Sequence, residues 1–167
     1  MTRYDVFLFL HILSVILWVG AGTTLGLLWF HPDRELRGRI APLGEWLGPR
    51  VFAPAALGAL VFGLLLVHEG HWTFRPLFVR LGLAAFALSF VINAGVRAPL
   101  SRKLAHQPQR LAGILSALSR FELAVLYLAV ADMVLKPDGS DTAFIVVAAM
   151  ILAVTAGTVL FRATTSA

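Results

Sequence analysis

The chain has 167 residues, of which 59% are hydrophobic and only 14% charged, and its mean hydropathy is +0.83. This is the length of one domain and too apolar for a soluble globular surface, so the composition points to a protein whose solvent is the lipid bilayer. The net charge of +5 does not mark a nucleic-acid binder, because the basic residues sit in short segments between apolar runs rather than on a solvated basic domain. The absence of cysteine excludes disulfides, c-type haem attachment and thiolate-held metals.

Five apolar stretches follow in chain order, each near the ~20 residues that cross a ~30 Å hydrocarbon core. The first runs from Tyr4 to Phe30. Its apolar run is far longer than the ~7–15 residues of a signal-peptide core, and Arg3 is offset by Asp5, so it reads as a span rather than a cleaved leader. The second runs from Val51 to Val67 and is short, with Pro54 in its first turn, where a missing N–H does no harm. The third spans Leu77–Val96, the fourth Leu111–Leu135 and the fifth Ala143–Phe161. The fifth offers Thr155, Gly157 and Thr158 as polar or small features and is a packing helix with no assigned chemistry. The expected fold is all-α: a polytopic membrane helical bundle of about five transmembrane helices, forming a single domain over residues 1–167.

Orientation follows from the loops. Arg34, Arg37, Arg39 and Arg50 lie in the first, and Arg97, Arg102, Lys103 and Arg110 in the third, against Arg75 in the second and Lys136 in the fourth. The excess of arginine and lysine marks the first and third loops as cytoplasmic, with the N-terminus outside and the C-terminus inside.

Ionisable groups within the spans cost a few kcal/mol each and are functional candidates for that reason. By depth the polar residues form an outer group of His11, Arg80, Asp132 and the more superficial His68, and an inner group of Asn93, Arg97, Arg120 and Glu122. The outer group is where a ligand is expected. Helical spacing lines up His11, Ser14, Trp18, Gly22 and Gly26 on one stripe, with a GxxxG at its end that suits a helix–helix contact. Two readings of His11 stand side by side: an interhelical hydrogen bond, or a neutral imidazole ligating haem iron where small residues admit a flat cofactor.

Arg80 is placed to pair with Asp132 or with haem carboxylates, or to snorkel to the interface. Asp132 and Lys136 are one turn apart and can satisfy each other. Arg120 and Glu122 cannot face each other on one helix, and Asn93 with Arg97 on the third span can supply them with partners. His68 and His71 end the second span three residues apart beside Glu69, a weak metal pair, with Gly70 arguing that the helix frays there. His31 and His106 lie at or beyond the cytoplasmic ends.

Leu10-His11-Ile12-Leu13 followed by Trp18-Val19-Gly20 resembles the first-helix signature of a bacterial integral-membrane family of unknown function. That family is related to copper-resistance CopD proteins and to HemJ-type protoporphyrinogen oxidases. Phe52-Ala53-Pro54-Ala55-Ala56-Leu57 with Gly63, and Arg120-Phe121-Glu122 with Asp132-Met133-Val134-Leu135-Lys136-Pro137, resemble the second and fourth helices of that group. The resemblance covers roughly the first four helices and implies a multi-pass protein of the bacterial inner membrane that binds haem b through His11. It sets Arg80 where HemJ-like proteins carry a lysine, and Asn93 near an expected histidine that is absent. Phe121-Glu122 lacks the proline of the HemJ pattern.

These residues give three functional expectations. The first is a haem-binding redox protein, in electron transfer or divergent porphyrinogen oxidation, with His11 as iron ligand and Trp18, Gly22, His68, Arg80 and Asp132 lining the cofactor. The second is a non-enzymatic scaffold or accessory subunit. The third is CopD-like transport of copper or a small solute. The expected companions are lipid and a second copy or a redox partner, with no nucleic acid.

Overall fold

The first helix starts where the sequence supplies its own cap. The Thr2 amide donates to Asp5 Oδ2 at 2.7 Å and the Asp5 amide to Thr2 Oγ1 at 3.2 Å, a reciprocal box that satisfies two donors the helix itself cannot. From this cap α1 runs over Arg3–Phe30. The structure is a computed structural model that describes residues 1–30, 39, 42–44, 46–103 and 108–165; His31, Arg34, Arg37 and His106 lie outside them. Among the described residues, five helices are long and apolar enough to cross a membrane. The chain is an all-α, multi-pass membrane protein.

The helices group into two compact units, Met1–Pro76 and Leu77–Ala167. In the first, α1 packs against α2, Ala53–Glu69. The expected start at Val51 is late, since helical structure is already present at Trp46 and passes through a π-helical turn at Gly48–Phe52. Pro54 explains that turn. It has no N–H to offer the Arg50 carbonyl, and an i→i−5 bond from the Ala53 amide to the Gly48 carbonyl takes up an extra residue instead of breaking the rod. Pro54 falls in the first turn of α2, where the sequence places it, with the π-helical turn leading directly into it.

α2 stops without fraying. The Trp72 amide bonds the Val67 carbonyl at 2.9 Å and the His71 amide bonds the His68 carbonyl at 3.1 Å, the paired bonds of a Schellman cap. The left-handed position of that cap is His71, at φ 52°, not the glycine beside it.

The second unit opens with α3, Leu77–Phe90, which continues through a π-helical turn, Val91–Arg97, into the short α4, Ala98–Lys103. Here too an Ala-Pro pair follows the turn, and the Ala98 amide reaches back five residues to the Asn93 carbonyl. α5, Pro108–Leu135, packs on both α3 and α6, Thr142–Thr165. α5 is the most buried of the five spans, whereas α6 exposes Val147, Met150, Val154 and Leu160. An apolar face of that size belongs in lipid. α5 ends at a left-handed Lys136, φ 48°, and Pro137 prevents its continuation.

Candidate functional sites in the two helical units

In the first unit the stripe on α1 faces α2. Trp18 is buried with its ring edge-on to Phe52, centroids 6.2 Å apart. Gly22 is half-buried and Gly26 buried on the same side. The close approach depends on glycines of α2. A Cβ on Gly58 would stand 2.6 Å from Ser14 Oγ, and one on Gly63 would stand 3.2 Å from His11 Cε1 and 3.3 Å from His11 Nδ1. The imidazole lies in the notch that Gly63 leaves open.

His11 is half-buried, and its Nδ1 is 2.9 Å from the Ala59 carbonyl. A carbonyl oxygen only accepts, so Nδ1 carries the hydrogen. The neutral ring then presents Nε2 with a lone pair. An Nδ1–H bonded to a backbone carbonyl is also the support that fixes and enriches a metal-ligating imidazole. The interhelical hydrogen bond is present, and it leaves the second nitrogen as a potential ligand.

His68 does not join His11. It is exposed, and it lies nine residues beyond Ala59, about two and a half turns, so it leaves α2 on the side opposite Ala59. Among the described residues, no three His, Cys, Asp or Glu side chains converge as a metal site, so Glu69, His68 and His71 do not complete one. His71 serves as the helix cap.

The second unit assembles the inner polar group. Arg97 Nη2 is 2.6 Å from Glu122 Oε2 and also donates to Ser119 Oγ at 3.2 Å. Glu122 Oε1 accepts from Ser89 Oγ at 2.8 Å and from Asn93 Nδ2. Asn93 Nδ2 further donates to the Ser89 carbonyl at 2.9 Å. Ser89, Ser119 and Glu122 are all buried. The sequence spacing that offers Asn93 and Arg97 as partners is realised for Glu122, whereas Arg120 is exposed. Ser89 and Ser119 are members that the sequence does not announce, since a lone serine in an apolar helix gives no periodic signal. With both Glu122 carboxylate oxygens bonded, the cluster is a polar clamp between α3, its π-helical turn and α5.

Arg80 and Asp132 do not pair. Arg80 is exposed on α3, while Asp132 is 2% exposed and, among the described residues, neither carboxyl oxygen has a hydrogen-bond partner. Lys136 does not satisfy Asp132 either. Its left-handed backbone turns it away from the helical course, and Nζ lies 5.8 Å from the Phe78 ring centroid, a cation–π contact.

No family profile, curated protein or solved structure matches the chain. Its chemistry is read from its own residues. Within the first unit, the His11 tautomer is set, its ring is braced by the Ala59 carbonyl, and Gly63 supplies the space that lets it lie against α2.

Proposed function

We propose that the protein holds b-type haem through His11 Nε2 and serves membrane redox chemistry, in electron transfer or divergent porphyrinogen oxidation. The observation that carries the reading is the His11 Nδ1–Ala59 carbonyl bond, which leaves Nε2 as the ring's electron-pair donor. Haem supplies one-electron chemistry when bound. The residues of this chain orient the imidazole, raise its basicity and keep the ligand within an apolar helix pair. The reading rests on the first unit alone. The resemblance to CopD-like and HemJ-like proteins supports it, as do the five apolar spans. The basic loops favour an N-terminus outside and a C-terminus inside, and the resemblance implies a bacterial inner membrane.

The test is the visible spectrum of detergent-purified protein from haem-replete cells, oxidised and reduced, beside His11→Ala. A Soret band in the wild type that is lost in His11→Ala is the expected result. No band in the wild type refutes haem binding, and a band that survives His11→Ala refutes His11 as its ligand.

A second reading, a non-enzymatic accessory subunit, has one observation in its favour. His11 and Ser14 already close the α1–α2 contact through Ala59, Gly63 and Gly58, a structural duty sufficient to explain both. A partner that co-purifies without any Soret band selects this reading.

A further inference from the structure

Asp132 is an ionisable residue that neither the haem reading nor the polar clamp uses. It lies on α5, where that helix packs with α3 and α6. It is one of the largest fully buried side chains among the described residues, and both carboxyl oxygens lack a partner there. An unpaired carboxylate in an apolar interior costs several kcal/mol or more, far beyond the cost of burying the neutral acid.

The surrounding charges do not change that balance. On α3 the titratable group is Arg80, which is exposed. Just beyond α5 Lys136 sits over Phe78; on α5 itself Tyr127 is exposed, and Glu122 lies ten residues back, about 15 Å along the helix, joined to Arg97. α6 carries no titratable side chain between Thr142 and Leu160. Asp138 and Asp141 are occupied within the turn after α5: the Asp138 amide donates to Asp141 Oδ2 at 2.8 Å, and Ser140 donates to Asp138 Oδ1. Among the described residues, no positive group is within bonding distance of Asp132.

Position supplies the second half of the argument. Asp132 is three residues from the end of α5 at Leu135, a rise of about 4.5 Å. Beyond that end the exposed turn Asp138–Asp141 is polar throughout. The acid is therefore removed from water by about one helical turn, not by the half-thickness of a bilayer.

We propose that Asp132 is a proton-binding site of the second unit, a neutral carboxylic acid that exchanges its proton with water at the α5–α6 turn. The exchange breaks the carboxyl O–H, passes the proton to water, and restores the acid by the reverse transfer. It needs no co-reactant and is independent of haem.

Infrared spectroscopy of the full chain reconstituted in lipid tests this directly. At neutral pH the wild type is expected to show the carbonyl stretch of a protonated carboxylic acid, absent from Asp132→Asn. Transfer to deuterium oxide is expected to shift that band within minutes. Asp132→Glu should move the band without abolishing it, which preserves the assignment if the asparagine variant does not fold. No acid band in the wild type means an ionised Asp132, held by a cation or a basic partner, and overturns the proposal. A band that stays unshifted through hours in deuterium oxide identifies a sealed structural acid and overturns it equally.

Discussion

Arg97 and Glu122 are joined by an ion pair of 2.6 Å between a π-helical turn and the most buried helix of the second unit. Glu122 is buried and Arg97 is 23% exposed, so the carboxylate bears most of the desolvation. Glu122→Ala leaves Arg97, Ser89 and Asn93 without their common acceptor and should cost about 3 kcal/mol. Glu122→Gln keeps an oxygen for Ser89 and Asn93 and should cost about 1–2 kcal/mol. Replacing both ends of the pair, Arg97→Met with Glu122→Leu, should recover much of the loss of Glu122→Ala. Thermal unfolding in detergent measures all three; equal losses for Ala and Gln would mean that the carboxylate is not the shared acceptor.

In the first unit, Gly58→Ala should destabilise the α1–α2 contact, because its new Cβ would meet Ser14 Oγ at 2.6 Å. Overpacking of this kind costs about 1–3 kcal/mol. Ser14→Ala removes the atom in conflict, so the double variant should regain most of the lost stability. A double-variant cycle in detergent decides the matter, and strict additivity would show that the two residues are not coupled.

The spans and their order are legible in the sequence because an apolar run of membrane length is seldom anything but a span. The stripe from His11 to Gly26 is legible from helical spacing, and so is the supply of Asn93 and Arg97 to Glu122. What escapes depends on two features that periodicity does not carry. Pro54 and Pro99 each follow a π-helical turn, and the wider hydrogen bond carries the helix up to each proline without a break. The residues that admit His11, namely Gly63 and the Ala59 carbonyl, belong to another helix, so no pattern within α1 can name them. Asp132 shows the converse. One-turn spacing to Lys136 suggests a pair, but the helix ends between them and turns the lysine onto Phe78.

His71 holds a left-handed backbone, φ 52°, that side chains with a Cβ adopt at a cost. His71→Gly should therefore raise stability by about 0.5–1 kcal/mol while keeping the two cap bonds. His71→Val should lower it, since a β-branched residue is the poorest occupant of that region. Unfolding temperatures of the two variants should fall on opposite sides of the wild type. A destabilised His71→Gly would show that the imidazole contributes more than its backbone costs, and would reopen the case for a His68–His71 ligand pair.

Asp138 lies in the turn outside the spans, where Ser140 Oγ and the Ser140 amide both donate to its carboxylate, at 2.5 and 2.7 Å. These bonds favour the charged form and hold the carboxyl below the ordinary aspartate value of 3.8. A folded value below the unfolded one gives a contribution that is complete above 3.8 and is lost as pH falls through the folded value. The turn should thus be insensitive to pH near neutrality and loosen only in strong acid. Ser140→Ala removes the hydroxyl donor but keeps the amide, so the Asp138 midpoint should rise part of the way towards 3.8. Carboxyl-labelled NMR titration of the two proteins reads this shift. Identical midpoints would show that the hydroxyl bond does not hold the carboxylate, leaving the amides of Ser140 and Asp141 as its support.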